Sequence, residues 1–382
     1  MVLGMALALV LLVEAGYRTQ AAVRRAAFGT GGAIEFEEHP TVIHELLREE
    51  ERSITLEWHP YVYWRRRAFR GRLVNVDSAG RRVTVGSGSS GSGPQILFFG
   101  GSTMWGSFQG DAGTIPSTVA RWLRHAGAPP VELVNVGETG FGMTQEVIQL
   151  LLMLRQGYRP ALVVFYDGIN DVAAAAQHGQ AGIPLNETNR VREFDLGRRV
   201  FSWRSDVRAE FRAFTALASV AVARSELLER IRALRPHLPG RVPDAASLAD
   251  AVVATYVANM EMVEALAMRF GFAPVYLWQP NLLTSRKALT SREQSLRDQA
   301  LRDPEFARLR QLHREVEARV DSVARAVAGE RFRNLSGVFD AVTGPVFTDE
   351  VGHTYESANA VLVAEIGPLI RAHLGGRPVL RR

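Results

Sequence analysis

Short, almost unbroken apolar runs alternate along this chain with longer stretches in which apolar positions recur at helical spacing. The runs Ile96–Phe99 and Ala161–Tyr166 are apolar on consecutive positions rather than on every second one, Pro274–Gln279 is so up to its last residue, and Val131–Val136 is apolar apart from Glu132 and Asn135. Such runs predict strands buried on both faces, and strands alternating with helices predict a parallel sheet with helices packed on either side. Residues 116–125, 144–154 and 246–270 supply the helical spacing, and residues 356–373 form a terminal amphipathic helix. The expected fold class is therefore α/β, a three-layer α/β/α arrangement around a central parallel sheet. Phe332–Leu335 reads as a short last strand, and about 291–329 as one long charged helix. Residues 172–204 are weakly periodic and suggest a lid or rim. Residues 205–235 read as helical, ahead of a stretch broken by Pro236, Pro239, Gly240 and Pro243.

The part before residue 95 has a different pattern. Residues 1–13 are nearly all apolar and end at Glu14, short of the roughly 20 residues of a membrane span. A short or truncated membrane anchor, an export signal and a buried helix all fit that run. Arg18, Arg24 and Arg25 follow it; for a spanning helix they favour an inside location of that flank, against export of what comes after. Residues 27–53 read as a linker with a helix at about 42–50, and His59–Trp64 as an extended aromatic stretch. Asp77-Ser78-Ala79-Gly80 reads as a hairpin turn, and residues 86–93 as a flexible connector. The expected organisation is a membrane anchor or export signal (1–26), a linker with a small β appendage (27–94) and a main domain (95–382). A membrane-held or exported location follows from the first of these, with a cytoplasmic one left open.

Composition changes this picture little. Hydrophobic residues make up 47% and charged residues 22%, an ordinary globular balance. The absence of cysteine excludes disulfides, thiol catalysis and cysteine-based metal sites. The formal charge of +5 comes almost entirely from arginines mixed with acids, Lys287 being the single lysine. No nucleic-acid-reading motif accompanies it, so no nucleic-acid partner is expected. The cluster Arg65-Arg66-Arg67, with Arg70 and Arg72, reads as a solvated face. Residues 86–91 match GxGxxG, but Pro94 and a strand follow where a helix should open, so no dinucleotide site is expected.

Candidate chemistry lies where the predicted strands end, the edge at which such sheets bind ligands. After Phe99 the chain breaks into Gly100-Gly101-Ser102-Thr103, a sharp turn that exposes a hydroxyl. Val136 leads into Gly137, whose backbone can approach a substrate closely, and Tyr166 into Asp167-Gly168-Ile169-Asn170-Asp171. Acyl transfer needs a nucleophilic hydroxyl, a base, an acid to orient the base, and donors for an oxyanion. Ser102, His353, Asp349 or Glu350, and Gly137 with Asn170 are the candidates for these roles. No cofactor and no metal are required. Phe99, Trp105 and Phe108 are candidates for an acyl pocket, with core packing the plainer reading of Phe99, and His178 for a substrate contact.

These segments resemble the four sequence blocks of the SGNH (GDSL-like) hydrolase superfamily. Gly100-Gly101-Ser102 is similar to the nucleophile block, although Gly101 stands where many members have aspartate. Asn135-Val136-Gly137 with Gly140 is similar to the glycine block, Gly168–Asp171 matches Gly-x-Asn-Asp, and Thr348–His353 is similar to the Asp-x-x-His block. In the last, Glu350 lies at the family's spacing and Asp349 one residue further away, as if Gly352 were inserted; Asp349 is favoured. The resemblance covers Gln95 to about Leu374. It implies a flavodoxin-like SGNH fold and a serine esterase acting on a small-molecule or glycan ester, and His59-Pro60 with Asn75-Val76-Asp77 resembles the N-terminal portion of bacterial members of the membrane-anchored type. Acyl transfer, or a non-catalytic carbohydrate-binding or assembly role in the cell envelope, is the alternative. The oligomeric state is left open.

Overall fold

The computed structural model describes residues 40–91, 93–201 and 244–374; residues 1–13, 27–39 and 205–235, on which readings were made above, lie outside them. In chain order the elements are α1 (Pro40–Ser53), β1 (Leu56–His59), β2 (Tyr63–Arg66), β3 (Phe69–Arg70), β4 (Asn75–Val76), β5 (Gln95–Gly100), α2 (Ser102–Trp105) and α3 (Ile115–His125). There follow β6 (Glu132–Asn135), α4 (Met143–Arg155), β7 (Leu162–Asp167), α5 (Ile169–His178) and α6 (Glu187–Phe201). The rest are α7 (Ala245–Phe270), β8 (Ala273–Trp278), α8 (Ser291–Ala300), α9 (Pro304–Ala328), β9 (Phe332–Asn334) and α10 (Glu356–Leu374). From Thr188 onward α6 belongs to a second unit; all the other elements belong to the unit formed by 36–187 and 243–382.

Five parallel strands form the sheet in the order β6-β5-β7-β8-β9. Numbered along the chain this is 2-1-3-4-5, so the strand order reverses between β5 and β7. The carboxyl ends of those two strands open the crevice where such sheets bind ligands. Alternate side chains serve the two faces. Leu97, Phe99, Val163, Phe165, Tyr276 and Trp278 pack with α4, α5, α7 and α9, whereas Ile96, Phe98, Val164, Val275 and Leu277 pack with α3 and α10. The inner strands β5, β7 and β8 are buried on both faces, which is why they read as continuous apolar runs, whereas the edge strand β6 is buried only at alternate positions.

Among the described residues, α7 alone is long and apolar enough to cross a membrane by length and composition, weak support for membrane association. Leu248, Val252, Tyr256, Met260 and Val263 on it lie in the core beneath the sheet, which accounts for much of its apolarity.

Several elements differ from expectation for local reasons. The long charged helix is two: α8 ends at Ala300, and Asp303 caps α9 with Pro304 in its first turn. The weakly periodic segment begins with a regular helix, α5, whose alanines bury too little surface to leave a strong apolar stripe. His59–Trp64 is not extended; β1 and β2 pair antiparallel around a turn, with Tyr61 and Tyr63 both at positive φ. The connector 86–91 lies along the edge of β6: Gly88 N–H donates to Val131 O, and Leu133 N–H to Ser87 Oγ. The arginine cluster divides: Arg67, Arg70 and Arg72 are exposed as a solvated face would be, but its first two members are not. Arg65 and Arg66 are buried, and both approach Glu138, whose side chain is fully enclosed.

Candidate active site

Ser102 begins the short helix α2 directly beyond β5. Oγ lies 2.7 Å from His353 Nε2, and His353 Nδ1 lies 2.5 Å from Asp349 Oδ2. The other Asp349 oxygen accepts the backbone N–H groups of Val351, Gly352 and His353 at 3.0–3.2 Å. Such a turn needs a backbone reversal just before the histidine, and Gly352 supplies it at φ +101°. Glu350 makes no hydrogen bond to His353; Asp349 is the acid within reach.

The histidine loop is held from outside. Thr348 N–H donates to His353 O, and Phe347 bridges Thr354. The amides of Val346 and Phe347 donate to Glu293 Oε1, and the other Glu293 oxygen pairs with Lys287 Nζ at 2.7 Å. The single lysine is thus fully buried and neutralises the carboxylate that anchors this loop.

Burial alone would lower the basicity of His353, but the hydrogen bond and charge of Asp349, with Glu50 and Glu350 further off, more than offset it, and its pKa is raised. For Asp349, burial would raise the pKa; the His353 hydrogen bond and charge and the backbone donors outweigh that and lower it. The pair therefore favours a charged carboxylate and a basic imidazole, suited to taking a proton from Ser102.

Asn170 stands in the first turn of α5, at the end of β7. Its Nδ2 donates one hydrogen to Phe141 O at 2.7 Å, leaving the second free to turn elsewhere. A Cβ on Gly101 would come within 2.1 Å of that nitrogen. Any larger residue before Ser102 would have to displace the Asn170 amide from this position, so glycine there suits the placement of Asn170. Gln279, at the end of β8, joins the two strand ends: its Nε2 donates to Thr103 Oγ1 and its Oε1 accepts from Ile169 N–H. Sequence reasoning missed Gln279, and only its place after an apolar run could have marked it.

Gly137 sits differently from expectation. Its N–H donates to Asn135 Oδ1 at 3.0 Å, so it is not open to a substrate. A Cβ there would lie 2.6 Å from Trp105 N, so this glycine permits close packing against α2. Gly140, at φ +75°, instead lines a small cavity with Asn170, Gly142, Ala174 and Leu185.

The three aromatic candidates separate. Phe99 is core, Trp105 is fully buried beside two arginines, and only Phe108 meets the site, edge-on to the His353 ring at 5.3 Å. His178 ends α5, and the small cavity beside Asn170 is lined without it. Among the described residues no group of three or more His, Asp or Glu could hold a metal ion.

No family model matches the chain, and no curated protein matches it. Among solved structures it is similar to a carbohydrate acetylesterase family member from Sinorhizobium meliloti, at 14% identity over 74% of this chain and 100% of that one, with a TM-score of 0.39. It is also similar to an alpha/beta hydrolase enzyme from the metagenome of Lake Arreo, Spain (14% identity; 76% and 98%; TM-score 0.38). A third is an acetylxylan esterase from Geobacillus stearothermophilus (16% identity; 76% and 99%; TM-score 0.36). At these scores and identities the likeness is too distant to carry a fold or an activity, and the site stands on its own geometry.

Proposed function

We propose that this chain is a serine ester hydrolase of the SGNH (GDSL-like) kind, with a flavodoxin-like main domain over 95–382. The relay Ser102 Oγ–His353 Nε2, His353 Nδ1–Asp349 Oδ2 is the observation that carries the reading. Ser102 Oγ attacks the ester carbonyl as His353 Nε2 takes its proton, and Asp349 stabilises the resulting imidazolium. The Ser102 N–H, the second Asn170 Nδ2 hydrogen and the Gly140 N–H hold the oxyanion, Gly140 taking the part first given to Gly137. His353 then protonates the departing alcohol, and the acyl group stays on Ser102. Water, deprotonated by the same imidazole, releases the acid and restores the serine. No step calls for a cofactor.

The substrate is an ester, and the small cavity beside Asn170, lined by Ala174, Ile183, Pro184 and Leu185, is where we place part of it. With residues 1–26 as an anchor and 27–94 as linker and appendage, an O-acyl group on an envelope glycan is the class we favour.

Labelling with a fluorophosphonate, alongside acetate release from short esters, tests the reading. Loss of label in Ser102→Ala is expected. A folded wild-type protein that neither labels nor releases acetate would instead be a binding or assembly protein.

A further inference from the structure

Trp105, the last residue of the helix that Ser102 begins, is completely buried, yet its indole Nε1 has no hydrogen-bond partner. Two guanidinium groups hold the ring instead. The Arg66 Cζ lies 3.6 Å from its centroid and the Arg82 Cζ 4.2 Å. Both cations thus lie over the buried indole at cation–π distance. Stacked, desolvated guanidinium–indole contacts are among the stronger cation–π arrangements.

Each arginine reaches onward to a different part of the site. From Arg66 the backbone N–H and Nε donate to Glu138, Nη1 to Ser53 Oγ at 3.1 Å, and Nη2 to Thr139 Oγ1. Glu138 and Thr139 belong to the loop between Gly137 and Gly140. The preceding residues of β2 grip the same loop: Arg65 Nη1 donates to Val136 O, and Trp64 Nε1 to Thr139 O. Arg82 Nε meets Asp111 at 2.6 Å, and its Nη2 donates to Gln109 O. The Gln109 side chain continues to Thr354 O, next to His353.

We propose that Arg66 is a positioning residue for the reaction, holding the Ser102 helix through Trp105 and the Gly137–Gly140 loop through Glu138 and Thr139. On this view the hairpin of β1 and β2 is part of the catalytic scaffold. The nucleophile and an oxyanion donor arrive from different strands, and one rigid fork sets the spacing between them. Lysine cannot replace it: an ammonium carries the charge but lacks the plane that stacks and the fork that bonds in several directions. The inference rests on the ester-hydrolase reading.

Arg66→Lys and Trp105→Phe are compared with wild type, with Arg67→Lys as control, since the Arg67–Glu57 pair is largely exposed. Active-site titration with a fluorophosphonate counts competent sites, so turnover is expressed per titrated serine and lost folding drops out of the comparison. We expect Arg66→Lys to lower kcat per titrated site by 30-fold or more with KM changed less than threefold. Trp105→Phe, which keeps an aromatic face, should lose less, and Arg67→Lys nothing. A wild-type kcat per titrated site in Arg66→Lys would overturn the positioning role, as would a loss confined to KM. A wild-type protein that takes no label at all would overturn the hydrolase reading instead, before Arg66 is at issue.

Discussion

Asp349 holds His353 by both of its oxygens, one on the ring nitrogen at 2.5 Å and the other on three successive backbone amides that include the histidine's own. The acid thereby sets the orientation of the imidazole and the shape of the loop that carries it. Glu350, one residue closer in sequence, has neither contact.

Asparagine at 349 would keep most of the shape and lose the charge. Asp349→Asn is expected to lower kcat by roughly 10³-fold or more, the scale seen when the orienting acid of a serine triad loses its charge. Glu350→Gln should stay within threefold of wild type. Equal losses in the two variants would remove Asp349 from the relay.

The raised basicity of His353 has a direct consequence for pH. Only the neutral imidazole can accept the serine proton, so kcat/KM should fall as pH drops through a midpoint above the ordinary histidine value of 6.5. Asp349→Asn removes the main groups holding that pKa up and should move the acid limb downward. A pH–rate series on both proteins checks this, and an unmoved limb would show that another group governs it.

Asn170→Ala deletes a side-chain donor without touching the sheet. Its kcat should fall on the order of 10²–10³-fold, as for loss of one oxyanion donor, with only the modest loss of thermal stability that goes with the lost bond to Phe141 O. Gly137→Ala should behave in the opposite way. Its new methyl meets Trp105 N at 2.6 Å, so stability and activity should fall together. Circular dichroism melts beside initial rates separate the two patterns.

Under the same strand ends lies an uncommitted acidic cluster. Glu146 and Asp167 are buried and neither carboxylate finds a donor, so a bond between them forms only if one keeps its proton. Burial, with the neighbouring charges added, raises both pKa values well above the ordinary range. The folded state therefore retains protons that the unfolded chain releases above about pH 4. Stability contributed by that proton is full at low pH and declines as pH rises toward the folded-state values. Glu146→Gln supplies a permanent donor to Asp167, so its melting temperature should fall less than wild type's between pH 5 and 8. An identical slope would show that the cluster does not titrate in this range.

Much of this molecule is legible along the chain because its signals are local. Consecutive apolar positions at Ile96–Phe99 and Ala161–Tyr166 mark strands covered on both sides, since a strand's environment is written in its own residues. Gly100-Gly101-Ser102 and Gly168–Asp171 mark sharp turns at strand ends in the same way. What the chain alone could not reveal are choices made by partners distant in sequence. Arg66 reads as a surface cation until Glu138, 72 residues later, and Trp105 enclose it. Gly137 reads as an open amide until the Asn135 side chain bends back to take its hydrogen. Asp349 and Glu350 differ by one position, and the loop conformation chooses between them. Ser102 and His353 are 251 residues apart. Each can be named from its neighbours, but a 2.7 Å approach between them depends on how every intervening layer packs.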